Sequence, residues 1–287
     1  MDRLSTPRFA GVRGPLATEV KPCRFAGNKA SRPLVCLQES PVPIRAGASD
    51  GMGMIAAGRL LPLLRVFLPV LGLAGASLPA AAQVDHDGQL WINATAFGSI
   101  GSFAVFAEVQ PRFGEGIANL DQLILRPAIG WKINDAVTVY QGYARVENTP
   151  LGQRAFAEDR SFQQLGWEIG TVERVKLSFR TRFEQRFQTN GRDTGFRLRQ
   201  MLRATVPLTD ETRGVAAVAW TEAFVALNDT DWGAKAGFDR IRTFVGLEVP
   251  LAGTSTLEVG YTNQTVNAPA ARVTMDHVIS VSVFVRQ

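Results

Sequence analysis

Residues 174–187 read Arg174-Val175-Lys176-Leu177-Ser178-Phe179-Arg180-Thr181-Arg182-Phe183-Glu184-Gln185-Arg186-Phe187. One parity of this run carries Val175, Leu177, Phe179, Thr181, Phe183 and Phe187, with Gln185 as the single break. The other carries Arg174, Lys176, Ser178, Arg180, Arg182, Glu184 and Arg186. A strand sends alternate side chains to opposite faces, so the run predicts one apolar face and one densely charged face. It is also long: soluble strands usually have about five or six residues, whereas a tilted strand crossing a bilayer in a closed barrel needs about ten.

Cost decides which face is which. A single Arg facing lipid at the bilayer midplane costs about 2–4 kcal/mol. Arg174, Lys176, Arg180, Arg182 and Arg186 are therefore expected to face the lumen or the wet ends of the strand. Other segments repeat the alternation. Phe196, Leu198, Leu202, Ala204 and Val206 oppose Arg197, Arg199, Met201 and Arg203; Ile241, Val245, Leu247 and Val249 oppose Arg240, Arg242 and Glu248. Leu257, Val259 and Tyr261 oppose Glu258, Thr262 and Gln264; Leu123, Leu125, Ile129 and Trp131 oppose Gln122, Arg126 and Lys132. The last segment sets Ile279, Val281, Val283 and Val285 against Ser280 and Ser282.

The expected architecture is all-β: a single antiparallel transmembrane β-barrel of 10–12 strands with a polar, Arg/Glu-rich lumen. Its lumen charge network is expected to comprise Arg126, Arg160, Glu168, Arg180, Arg182, Glu184, Arg186, Arg197, Arg199, Arg203, Glu222, Arg240, Arg242, Glu248 and Glu258. Guanidinium groups grip carboxylates through two parallel bonds and stay charged. This suits the Arg bias beyond residue 82, where Lys132, Lys176 and Lys235 are the only lysines. Two readings of the ladder stand side by side: polar filling of a narrow barrel, or a basic path for an anionic solute.

Strand-like segments succeed one another at 89–98, 102–113, 121–133, 136–147, 158–170, 173–188, 194–208, 213–227, 237–251, 254–266 and 272–286. Tight connections (134–135, 171–172, 209–212, 252–253) alternate with longer polar ones (148–157, 189–193, 228–236, 267–271), as in transmembrane barrels. Eleven segments conflict with the even strand number usual in bacterial barrels. Segment 89–98 is the doubtful one: ten wall strands with this segment tucked inside, or twelve with one unsplit, both remain open. Trp131 and Trp167 near short turns, and Phe187 and Phe196 near a long loop, suit interfacial girdles.

The net charge of +5 and pI near 9.6 invite a nucleic-acid reading, which dividing the chain removes. Residues 54–82 resemble a secretory signal: Arg59 and Arg65 stand before the apolar run 66–76, and Ala80-Ala81-Ala82 offers a cleavage site before Gln83. Ten of the 31 basic and four of the 26 acidic residues precede Gln83, leaving 21 against 22 in residues 83–287. Residues 1–51, rich in Pro, Arg, Gly and Ser, read as a non-native or disordered extension, with Met52 or Met54 the more natural start. Both cysteines, Cys23 and Cys36, lie there. The barrel segment thus has neither disulfides nor thiolate metal ligands.

Motifs for chemistry are scarce. There is no nucleophile elbow, HExxH, Walker loop or GxGxxG, and no cofactor is expected. The histidines are His86, in Asp85-His86-Asp87, and His277, in the last segment. Outer-membrane lipid hydrolases use a Ser nucleophile and a His base, but Ser280 and Ser282 lie at odd spacing from His277 and so on the opposite face.

Pro111-Arg112-Phe113, Leu125-Arg126-Pro127, Gln141-Gly142-Tyr143, Glu158-Asp159-Arg160 with Gln163-Gln164, the run Arg180-x-Arg182-x-Glu184-Gln185-Arg186-Phe187, Arg197-x-Arg199, Glu222 and Gly260-Tyr261-x-Asn263-Gln264 occur in this order. The pattern resembles the bacterial family catalogued as domain of unknown function 2490, over about residues 85–287. The resemblance implies an outer-membrane β-barrel and carries no established activity. The terminus Phe284-Val285-Arg286-Gln287 departs from the aromatic ending usual in such barrels.

Three functions are weighed. The first is a non-enzymatic barrel of the bacterial outer membrane, structural or a narrow pore for small anionic solutes. Its partners would be outer-membrane lipid and the barrel-assembly machinery, with no nucleic acid. The second is a lipid- or lipopolysaccharide-modifying enzyme. The third is a soluble periplasmic β-barrel binding protein.

Overall fold

The computed structural model describes residues 83–211, 213–268 and 272–287; the extension expected over 1–51 and the export signal expected over 54–82 lie outside the described residues. Eleven strands follow one another: β1 (Gln83–Ile100), β2 (Phe103–Gly114), β3 (Asn119–Lys132), β4 (Val137–Asn148), β5 (Phe156–Val172), β6 (Val175–Gln188), β7 (Thr194–Pro207), β8 (Ala216–Ala226), β9 (Gly237–Pro250), β10 (Thr256–Ala268) and β11 (Arg272–Arg286). Each pairs with its sequence neighbours and β1 pairs with β11, so the sheet closes into a barrel without edges. Among the described residues no helix is long and apolar enough to cross a membrane, which has no bearing on a barrel that crosses with strands.

The odd count has a geometric consequence. Neighbouring strands alternate in direction, so the first and eleventh run the same way. The β1–β11 pair is accordingly parallel, from Gln83↔Arg272 to Phe97↔Arg286, while the other pairs are antiparallel. The expected all-β barrel of 10–12 strands is found with eleven; its β1–β11 pair departs from the antiparallel expectation, and neither even-numbered arrangement holds. The segment expected over 89–98 is a wall strand, and it begins six residues earlier, at Gln83. Its first residues, Val84-Asp85-His86-Asp87-Gly88, carry no apolar alternation. Pairing with β11 makes them a strand.

Connections gather at two rims. Residues 101–102, 133–136, 173–174, 208–215 and 251–255 lie at one; 115–118, 149–155, 189–193 and 227–236 lie at the other. β7 ends at Pro207 and β8 starts at Ala216, a wider sequence gap than the 209–212 turn expected at this rim. β1 starts at the long-loop rim and β11 ends at the opposite one, so the two strand ends of the barrel lie at opposite rims.

The alternation works as the sequence reading of residues 174–187 requires. Val245, Leu247, Val259, Ile279, Leu125 and Ile129 are exposed on the outside, whereas Arg182, Glu184, Arg197, Arg199 and Glu222 are buried inside. Toward the short-turn rim the lumen is filled by rings. On one side Phe106 packs against Phe162 and Tyr140 over Ala128 and Ala144; on the other Trp220 stacks on Phe244 at 5.4 Å between centroids. The rings fit because small residues lie beneath them. A Cβ at Gly142 would stand 2.1 Å from Phe162 Cζ.

Gly142→Val should therefore overpack this cluster and destabilise the barrel by about 1–3 kcal/mol. The measurement is the urea midpoint of the folded, fast-migrating form in unheated gels.

Candidate functional site: an arginine-lined lumen

The inward positions of β5, β6, β7 and β8 bring their charges together. Glu184 of β6 accepts from Arg197 (Nη2, 2.6 Å) and from Arg199 (Nη1, 2.7 Å). Arg199 also reaches Glu222 of β8 with Nη2 at 2.9 Å and Nε at 3.1 Å. Arg180 adds a bond to the same Glu222 oxygen at 2.8 Å. The result is a continuous chain, Arg197–Glu184–Arg199–Glu222–Arg180. Beside it Glu158 of β5 holds Arg160 at 2.7 Å and Arg186 at 2.5 Å. Arg126 pairs with Glu108, and Arg203 pairs with Glu258 at 2.6 Å and Glu248 at 3.1 Å.

This network fills the cross-section. Arg182 is 2% exposed and Glu184 1%. Two chambers lie in the lumen, one of about 180 Å³ in its long-loop half and one of about 150 Å³ further down, around the strand midpoints and toward the short-turn rim; with a vestibule above, the first is the middle of three spaces. The two share Arg112, Arg126, Arg199 and Arg242 as common walls.

Charge in the middle chamber is one-sided. Its walls include Arg112, Arg126, Arg160, Arg186, Arg197, Arg199, Arg240 and Arg242, against the single carboxylate of Glu158. Three buried guanidinium groups of the lumen are held mainly by neutral partners. Arg112 binds Gln110 and Gln122 and lies 3.9 Å from the Trp91 ring centroid. Arg242 binds Gln264 at 2.6 Å, lies over Trp91 and Phe224, and stands 4.0 Å from Glu222. Arg182 binds Gln164 and covers the Phe162 ring at 4.5 Å, while its Nη1 has no hydrogen-bond partner and lies 3.8 Å from Glu184. Ring faces and amide oxygens stabilise a cation without neutralising it.

Above the chamber a vestibule of about 440 Å³ lies between the strand ends and loop residues 232–236, sharing Phe156, Arg186, Gln188 and Arg240 with it. Trp232 forms part of this cover. Its ring lies 4.8 Å from the Arg186 guanidinium carbon, and its Nε1 donates to Asp193 O at 2.8 Å. The approach needs Gly195, where a Cβ would stand 2.5 Å from the ring. Two loop carboxylates pin the cover. Asp231 accepts from the N–H groups of Arg192 and Asp193, and Asp229 accepts from Ala236 N–H and Lys235 Nζ. The Arg192 and Ala236 N–H groups, respectively, are the main causes holding these carboxyls below the usual range.

Not every expected lumen residue joins the network. Glu168 sits half-exposed near the short-turn rim, 3.3 Å from Lys176, because β5 runs past the plug and bulges there between Glu168 and Gly170. Arg240 joins at the edge of the vestibule through Asp239, which also reaches Arg197. Conversely, Glu108, Arg112, Glu158 and Asp239 belong to the network although the sequence reading passed over them. Glu108 and Arg112 share a parity opposite Ala107, Val109 and Pro111, and Glu158 shares one with Arg160, so the alternation carried the signal.

The histidines lie elsewhere. His86 Nδ1 and His277 Nε2 are 3.0 Å apart across the parallel β1–β11 seam, and Tyr261 Oη is 2.7 Å from His277 Nδ1. All three are on the outside. Ser280 points inward and bonds Thr262 at 2.8 Å, so no Ser–His dyad forms with it. Among the described residues no cluster of three or more His, Cys, Asp or Glu is placed to hold a metal ion.

Two outcomes follow. Glu184→Gln leaves Arg197 and Arg199 undercompensated in a dry interior and should cost about 3–5 kcal/mol, read as a lowered urea midpoint. The loop carboxylates have depressed folded pKa values, so their contribution is complete at neutral pH and is lost as pH falls below the ordinary value near 4. Protease cleavage in 228–236 should rise at acid pH, and Asp231→Asn should raise it already at pH 7.

Comparison with known proteins agrees with the motif order. The model of the family described as "Protein of unknown function (DUF2490)" matches residues 88–275. An uncharacterised protein of Methylorubrum extorquens is 57% identical over 222 residues, covering 77% of this chain and 97% of that protein. No solved structure matches. The arginine-lined barrel described above is carried by a chain that belongs to the DUF2490 family.

Proposed function

We propose that this protein is a non-enzymatic outer-membrane β-barrel, exported by a cleaved signal, that is closed to passive flow at rest and admits a small anionic solute into its basic chamber. The observation that carries this reading is the pair of buried guanidinium groups, Arg112 and Arg242, that line both chambers with glutamine amides and ring faces as their close partners. Burying like charges with only amides and rings for company is unfavourable, and a bound anion relieves it. Field lines in a narrow, low-walled lumen also concentrate anions from solution. The vestibule offers the approach from the long-loop side. The outer-membrane location is supported by the long strands, the missing edges and the apolar outside. The plug of Arg182, Glu184, Arg199 and Glu222 supports a resting state without current.

Reconstituted in planar bilayers, the wild-type barrel should show little or no steady conductance. Arg199→Ala, which removes a side chain shared by both chambers, should open an anion-preferring current. In detergent, inorganic phosphate or sulfate should bind the wild-type barrel and raise its urea midpoint, and Arg112→Gln with Arg242→Gln should abolish that shift. A wild-type barrel that conducts cations and anions equally, or whose stability ignores both anions, would exclude the reading. Extraction without detergent would instead favour a soluble binding protein.

A further inference from the structure

We propose that the outer face of β4–β7 is the contact surface between two copies of this chain in the membrane. The inference rests on the bilayer reading above and concerns a different part of the molecule.

The outside of the barrel is not uniform. Around β9–β11 the wall positions Val245, Leu247, Val259, Ile279, Val281 and Val283 form an apolar belt, with Thr243, Asn263 and His277 on its long-loop side. On β4–β7 the corresponding belt carries a ladder of amides. Gln163 Nε2 donates to Gln141 Oε1 at 2.8 Å, and Gln185 Nε2 donates to Gln163 Oε1 at 2.9 Å. Thr181 donates to Gln200 Oε1 at 2.8 Å one strand further on. Gln141 and Gln163 are exposed.

Register places this ladder midway across the wall. Gln163 pairs with Phe183, four residues from Phe179, the partner of Trp167, and four from Phe187, the partner of Asp159. Trp167 and Phe187 are exposed girdle residues. Gln163 therefore lies between the girdles, at the depth where acyl chains offer neither donors nor acceptors. Gln141 spends its amide N–H groups on Gly142 O and Ser161 Oγ, whereas Gln163 and Gln185 each spend one on the ladder and leave the second to be met from outside. A polar group left unpaired in hydrocarbon is costly, and polar side chains at that depth mark a protein contact.

The ladder also selects the occupant. It carries no charge at mid-depth, and each amide both donates and accepts, so a two-fold axis sets it against itself with nothing left over. Beside it runs an apolar groove of about 580 Å³ walled by Ile129, Trp131, Val139, Leu165 and Phe183. Apolar relief next to uncharged hydrogen-bonding groups is the make-up of an interface core. Charge on this face lies toward the long-loop rim, where Arg145 pairs with Glu147 and Asp159, so a lipopolysaccharide headgroup would sit there rather than on amides at the centre.

The test uses the full chain with Cys23→Ser and Cys36→Ser, cross-linked in isolated outer membranes. Gln163→Cys should give a dimer with a short bismaleimide, and Val281→Cys on the opposite wall should give none. Gln141→Leu with Gln163→Leu and Gln185→Leu should convert a dimer in nanodiscs to a monomer, and heat-modifiable migration should show that the barrel still folds. A wild-type monomer with no Gln163→Cys product would overturn the proposal. A monomer that releases co-purified lipid when the three glutamines are replaced would overturn it in favour of a lipid site. A chain that never partitions into membranes would sink the bilayer reading itself, a result separable from both.

Discussion

The lumen lattice of guanidinium and carboxylate groups is the constraint to which the rest of the structure answers. Once Arg180, Arg182, Arg197 and Arg199 are turned inward, the carboxylates of Glu184 and Glu222 must stand between them, because an uncompensated charge in a dry interior is far costlier than a paired one. The planar fork of arginine makes this possible where lysine would not. Arg199 binds Glu184 with one amino group and Glu222 with the opposite edge, a two-sided grip that a single ammonium on a flexible stem does not reproduce. Such a lattice fixes the rotamers of long side chains and closes the cross-section. The same chemistry that compensates the charge thus removes the open pore.

Compensation is incomplete, and the shortfall is localised. The Arg197–Glu184–Arg199–Glu222–Arg180 chain is well supplied with carboxylates, whereas Arg112, Arg182 and Arg242 rest on glutamines and aromatic rings. Arg112 and Arg242 line both places where cavity space remains. Function, on the reading proposed above, lies in that local deficit rather than in the ladder as a whole. A lumen packed only for stability would have placed acids there.

Closure imposes a second constraint. An odd number of strands obliges β1 and β11 to run the same way, and a parallel ladder is slightly weaker per residue. Here it extends from Gln83 to Phe97 along β1, so length makes up for strength. The meeting of His86, His277 and Tyr261 on the outside of this seam adds side-chain bonds between strands from opposite ends of the barrel domain.

The sequence by itself determined which half of each strand is inside, because a period of two and the cost of an exposed arginine leave one solution. Residues 174–187, 194–206 and 240–249 carried that information, and so the barrel class and most of the lumen residues were legible; Asp239 escaped it because the β8–β9 register shifts beside it. Strand bounds failed where polarity hid them, as at the start of β1. Parity of the strand count was open because nothing local in residues 84–88 announces a strand; only pairing with β11, 191 residues from His86 to His277, makes one. The tertiary structure alone decided which arginines share a carboxylate and which are left to amides and rings, since those partners lie on different strands and depend on register. It also decided that Glu168 stays at the rim and that the glutamines of β4–β6 align into one stripe. Alternation assigns a residue to a face; the staggered closure of the barrel assigns its height and its neighbours.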